Sequence, residues 1–331
     1  MNPVDEVRRL LGPVDPARAL PAYTTPPPLA VPVEAAPQAR SRRWALAVSG
    51  AGAAVVITAA LLVNPLTTRD TATAVMPAPL VMQYGADPAP HPGPYLSRLA
   101  EQVGAAPYDA TSGRYVRLTT KGWYLDTTIT RDAVASATVP MESQLWLARD
   151  GSGRETVRKL PPEFPDEAAR AKWKRLEPTM PPADPTHDLK PGEYALSWPR
   201  GLPTDPAALA AALARPGDPV EPLLRVQNAN RELIPDRAAR AAVLRALALL
   251  DDLAYRGEVT DRAGRRGVAV SADTPDGGRR EILVFAPDTG ELLAHETMIM
   301  REPGALDLPA YPAVVSYTLF LNRAHVDRPG A

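Results

Sequence analysis

Cysteine is missing from all 331 residues, which excludes disulfides, thiolate zinc sites, iron–sulfur clusters and a cysteine nucleophile. An excess of one charge is also missing, because 37 Lys and Arg stand against 38 Asp and Glu for a formal net charge of −1. With no global field to attract a polyanion, no nucleic-acid partner is expected. Aromatics make up 5% of the chain and there are four histidines. No G-x-S-x-G elbow, P-loop, G-x-G-x-x-G or H-E-x-x-H occurs, so the common nucleophile, phosphate, dinucleotide and zinc signatures are lacking. The sequence therefore yields no catalytic, cofactor-binding or metal-binding residue, and the reading is non-enzymatic.

What is abundant is proline, with 39 residues against a usual share of roughly 5%. Residues 1–43 hold nine of them and lack periodicity beyond a short turn at Val4–Leu11, so a disordered cytoplasmic tail is expected. Trp44 to Val63 is 20 residues without a charge. At 1.5 Å per residue that reaches about 30 Å, the thickness of a hydrocarbon core, and predicts a transmembrane helix. Arg40, Arg42 and Arg43 precede it and only Arg69 follows before Arg98, which places the N-terminus in the cytoplasm. Ser41–Leu46 partly resembles a twin-arginine signal, and Ala72-Thr73-Ala74 offers an A-x-A cleavage site. The long apolar stretch and its distance from Ala74 favour an uncleaved anchor. The expected location is thus the cell membrane, with a single pass and the lipid bilayer as partner.

Residues 64–94, with seven prolines, are expected to form an extended spacer. From Tyr95 to the end an extracytoplasmic α+β domain is predicted. Leu96, Leu99, Ala100 and Val103 share a helical face. Turns at Arg149–Arg154, Arg262–Arg265 and Pro287–Gly290 join three hairpins, and Val314–Asn322 alternates as a last strand. Pro235–Leu253 is the strongest helix, with Arg237, Arg240 and Arg245 on its polar side. Asp205-Pro206 opens a helix at Ala207–Ala214, and Asp166–Leu176 is a third. Fourteen prolines between Pro161 and Pro222 suggest a long loop with short helices over one sheet face.

Among chemistry-bearing residues, His91, His187, His295 and His325 form no local cluster. His295 and Glu296 on one strand point to opposite faces. The doublets Arg265-Arg266 and Arg279-Arg280 suit edge charges that discourage strand addition. Asp251-Asp252 reads as the solvated end of a helix. Tyr115, Trp123, Tyr124, Trp146, Trp173, Tyr194 and Trp198 fall in the first half of the domain, where they either pack a core or line an apolar pocket. Trp123, Trp146 and Trp198 are the residues that distinguish the two.

Several segments resemble one family. They are Gly113-Arg114-Tyr115-Val116, Leu202-Pro203-Thr204-Asp205-Pro206-Ala207-Ala208-Leu209, Arg245-Ala246-Leu247-Ala248-Leu249-Leu250, Val259–Arg265 and Phe285–Leu293, following a basic tail and one span. The chain looks like actinobacterial single-pass membrane proteins of undetermined activity, whose layout is similar to transmembrane anti-sigma factors. That resemblance implies an outer domain like the lipoprotein-carrier half-barrel, a curved antiparallel sheet packed on helices. Topology, the lack of catalytic motifs and a tail able to fold on binding point to a membrane-anchored, non-catalytic sensor or regulatory protein, with a regulatory protein in the cytoplasm as partner of residues 1–43. A tethered module holding lipid or another apolar ligand in the outer domain is the alternative, and an extracytoplasmic hydrolase is the third reading.

Overall fold

A computed structural model describes residues 57–59, 70–72, 74–129, 133–176, 186–198, 201–302, 308 and 310–330. The expected tail and most of the expected span lie outside these residues. Among the described residues no helix is long and apolar enough to cross a membrane.

The domain is α+β, built on an open antiparallel sheet of nine strands. In chain order these are β3 (Tyr115–Ile129), β4 (Ala133–Ala148), β5 (Gly153–Lys159), β6 (Thr186–Leu189), β7 (Ala254–Thr260), β8 (Arg266–Asp273), β9 (Arg279–Phe285), β10 (Leu292–Ile299) and β11 (Ala313–Val326). Their spatial order is β6-β5-β4-β3-β11-β10-β9-β8-β7. The last strand therefore inserts at the centre and joins the two halves. Two short parallel pieces flank the long β3–β4 hairpin: β1 (Ile57–Ala59) pairs with β3, and β2 (Asp70–Ala72) pairs with β4. The three described residues of the 44–63 segment are thus in strand geometry.

Each hairpin follows its turn chemistry. Gly151, Gly264 and Gly290 all adopt positive φ, which glycine reaches without the penalty of a Cβ. The three hairpin turns, the last strand and the helices around residues 95, 167 and 206 match expectation within a few residues, whereas β4 starts ten residues before the expected Ser143.

Five helices pack on the sheet among the described residues: α1 (Gly93–Gln102), α2 (Glu167–Leu176), α3 (Pro206–Leu213), α4 (Glu221–Glu232) and α5 (Arg237–Ala248). Asp205 and Asp236 cap α3 and α5 by accepting from Ala208 N and Ala239 N. The sequence pattern does not predict helix α4. It lies across β3, β9 and β10 and buries Leu223, Val226, Gln227 and Asn230, a spacing of three and four residues that places them on one stripe. Among the described residues between Pro161 and Pro222 the short helices α2 and α3 stand as expected, and β6 is an added strand.

Both faces of the β7–β10 half are covered. On one face Val270, Ala272, Leu283 and Phe285 join the buried side chains of α1, α3, α4 and α5. On the other, Ala269, Ile282, Val284, Ala294 and Met298 pack with Leu80 and Met82. The residues expected as a spacer therefore form a strap on the sheet. Gln83 N and Tyr84 N donate to the carbonyls of Glu258 and Arg256 on the edge strand β7, and Tyr255 N donates to Pro90 O. Asp87 then bridges two buried arginines, Arg256 at 2.7 Å and Arg280 at 2.6 Å. Proline favours extended backbone, and an extended backbone can add to a sheet edge. The strap thus belongs to the folded unit, and the domain begins before Tyr95.

Candidate functional site

Under α4 the sheet carries a polar network instead of an apolar floor. Leu283 and Phe285 of β9 face the helices, so by alternation Glu281 does too. The same holds for His295 and Thr297 of β10, which alternate with Ala294 and Met298 on the strap face. Glu281 Oε2 accepts from Thr297 Oγ1 at 2.7 Å and is 2.7 Å from His295 Nε2. Its Oε1 lies 3.2 Å from Arg279 Nε. Burial opposes ionisation of Glu281, but Arg279, His295 and Thr297 outweigh it and hold the carboxyl below its usual range.

One strand further, Thr318 of β11 stands opposite His295 and meets the Tyr124 hydroxyl at 3.0 Å. Tyr124 reaches it by lying over Gly122, where an added Cβ would come within 2.4 Å of the phenol oxygen. From α4, Arg231 Nη2 donates to the same hydroxyl at 3.4 Å.

The opposite face of these strands holds a second charged group. Glu296, 1% exposed, accepts from Arg262 Nε and Nη2 at 2.7 and 3.0 Å. Burial dominates and raises its pKa despite Arg262. The guanidinium lies 5.1 Å from the Tyr317 ring, which stacks on Trp123, and it also donates to Ala78 O of the strap. His295 and Glu296 therefore do point to opposite faces.

Two clefts open at the surface. One of about 380 Å³ lies between the 3₁₀ turn Pro107–Ala110, the start of α5 and the end of β11, lined by Tyr108, Asp109, Asp236, Arg237 and His325. Its carboxylates already have structural partners. Asp109 accepts from Arg240 and from Ala106 N, and Asp236 caps α5. Burial, aided by Arg149, lowers the His325 pKa. The other cleft, about 590 Å³, runs beside the strap along Leu80, Val81, Val259, Arg262 and Val268.

Several expectations are revised by these positions. Trp123 faces the strap side, Trp146 alternates with Leu145 and Leu147 of another cluster, and Trp198 packs against the helices. The three tryptophans do not line one pocket. Arg279 and Arg280 are buried and ion-paired rather than edge charges. Arg265 donates to the carbonyls of Leu293 and Phe320, leaving Arg266 as the exposed member. Strand β9 is internal, lying between β8 and β10, so the charges of Arg279 and Arg280 must be met by neighbours within the fold. Arg240, expected on a polar face, is buried and donates to Asp109, Gly104 O, Pro235 O and Thr289 O. Asp251-Asp252 is exposed in the turn after α5, as expected. His91 accepts from Gly93 N at the start of α1, and His187 pairs with Glu193 at 2.8 Å.

Chemically, the Glu281–His295–Thr297 group holds a base and an acid in contact. Their side chains are 0% and 4% exposed for Glu281 and His295, so a substrate atom has no approach to them in this arrangement. Among the described residues no group of three or more His, Asp or Glu is placed to hold a metal ion.

No protein-family model matches the chain, and no curated protein matches it. Among solved structures, a DUF1329 family protein from Desulfovibrio piger ATCC 29098 is similar over 71% of this chain and 94% of its own, at 9% identity and a TM-score of 0.18. A likeness at that level carries no argument about fold or activity.

Proposed function

We propose that this chain is a membrane-anchored, non-catalytic sensory or regulatory protein. An extracytoplasmic half-barrel-like domain receives the signal, and residues 1–43 contact a regulatory protein in the cytoplasm. The observation that supports it is the strap. A passive tether would be free of the domain it carries. Here the chain just after the proposed span is held to both β7 and β9 through Gln83, Tyr84 and Asp87. Rearrangement of the sheet is therefore passed to the anchor through backbone bonds and ion pairs.

In this reading residues 44–63 form one helix in the bilayer, and Ile57–Ala59 leaves its place beside β3. The exchange is favourable because a spanning helix satisfies all its backbone groups in hydrocarbon, whereas β1 contributes only three paired residues. Carriage of an apolar ligand finds less support. The sheet face that would hold it is covered by α4 and floored by Glu281, His295 and Thr297.

The absence of cysteine makes the test clean. Single-cysteine variants Ala30→Cys and Leu249→Cys in intact cells are treated with a membrane-impermeant maleimide. Labelling at 249 alone, with 30 labelled only after permeabilisation, is expected. Recovery of the chain in the soluble fraction, or the reverse labelling, overturns the topology. Residues 1–43 used as bait should recover a transcription or signalling protein in stoichiometric amount, and recovery of none overturns the regulatory role.

A further inference from the structure

Glu155 is a buried carboxylate whose Oε1 has no hydrogen-bond partner; Glu281 Oε1 also lacks one, but it faces Arg279 Nε at 3.2 Å. It lies on β5 and is 7% exposed, directly opposite Leu145 of β4 and His187 of β6. Leu118, Leu145, Leu147 and Leu189 form the apolar cluster on that side, with Tyr194, Leu196 and Ile234 packed on it.

Residues 190–198 close this corner. Gly192 N donates to Asp150 O and Tyr194 N to Gly151 O. Ser197 N and Trp198 N donate to the Glu232 carboxylate at the end of α4, at 2.9 and 2.8 Å. Glu193 accepts from Lys190 N and pairs with His187. The charged and titratable groups facing Glu155 are His187 from β6, Arg231 from α4 and Tyr194 from the loop. Glu232 acts on Tyr194 from α4.

A solvated surface loop would not be floored by an unpaired carboxyl, since burying such a group without a partner is costly. We propose that Glu155 is a proton-binding site and that the loop 190–198 is the element it controls, closed when the carboxyl is protonated and released when it ionises. Arg231 provides the transmission. With Glu155 neutral it donates to Tyr124, and an ionised Glu155 draws the guanidinium away from the Tyr124–Thr318 pair at the centre of the sheet. This gives the sensory reading a signal, external pH, and rests on that reading for its biological meaning.

The sign follows from burial. Desolvation raises the pKa of Glu155 against Arg231 and His187, and it raises that of Glu232 against the Ser197 and Trp198 amides. A group with a raised folded pKa stabilises the closed form below its ordinary pKa, and that stability is lost as pH rises through the folded value.

The test is hydrogen exchange of the full chain in nanodiscs from acid to neutral pH, corrected for intrinsic rates. Amides of 194–198 should lose protection by about tenfold per pH unit for each carboxyl titrating, while β9 serves as reference. Glu155→Gln should lower that slope by about one proton. A flat wild-type profile overturns the proposal without any variant, and so does an unchanged slope in Glu155→Gln. The same amides can be read on the full chain without nanodiscs should it prove soluble, so failure here and failure of the labelled topology are told apart.

Discussion

The two wings of the sheet solve burial differently. In the β7–β10 wing, β9 and β10 are buried at every position because helices cover one face and the strap covers the other. In the β5–β6 wing, β6 is exposed at three of its four positions, and a single loop with a few leucines closes one side. A strand covered on both faces must satisfy any charge it carries from within. Arg279, Glu281, His295 and Glu296 all have partners. The thinner wing leaves Glu155 without one, and that asymmetry separates a structural charge from a responsive one.

Breaking the contrast starts with Glu281. Glu281→Ala strips His295, Thr297 and Arg279 of their common partner and should cost about 3–5 kcal/mol of unfolding free energy, read from a denaturant midpoint at constant slope. At Glu155 the same logic reverses. Glu155→Leu removes an unpaired buried carboxyl and should be neutral or stabilise by about 1 kcal/mol at neutral pH. Comparable destabilisation by both would erase the distinction between the wings.

The strap is a smaller lever. In Asp87→Ala, Arg256 keeps Ser271 and Tyr84 O, and Arg280 keeps Asp273. A loss of about 1 kcal/mol is expected, with faster proteolysis confined to residues 74–92. Uniform digestion across the domain would show that the strap is not a separate unit.

The subtlest difference is in pH. Arg280 and Arg256 outweigh the burial of Asp87 and lower its pKa, and the Glu281 pKa is lowered as well. Stability from lowered carboxyls is present above their ordinary pKa and is lost as pH falls through the folded value. Glu296 acts in the opposite sense. The strap wing should therefore lose exchange protection in acid, while the Glu155 corner loses it on the alkaline side. Parallel profiles in the two wings would contradict the assignment.

How far the sequence revealed this design depended on which wing was read. Hairpins were legible because Asp-Gly, Ala-Gly and Thr-Gly turns sit between alternating runs, and α3 because Asp205-Pro206 opens it. Helix α4 is masked in the sequence by Asn228 and Asn230, a residue type that usually favours caps and turns because its amide competes with the backbone. Here Asn230 donates to Val226 O inside the helix. Strand β6 is four residues within a proline-rich stretch and has too little alternation to register. The buried network is not legible in the sequence because Glu281 and His295 lie 14 residues apart, and only strand register brings them together. Arg279-Arg280 likewise looks like a solvated doublet until both faces of its strand are found to be covered.

The placement of the strap also governs how the domain behaves when cut. A fragment beginning at Tyr95 would keep most of the first helix but would bare the hydrogen-bonding groups of β7 and uncover Val259, Ile282 and Val284. Open edges beside apolar faces recruit other chains, so such a fragment should form aggregates when expressed. One beginning at Ala74 keeps its edge sealed and should remain monodisperse.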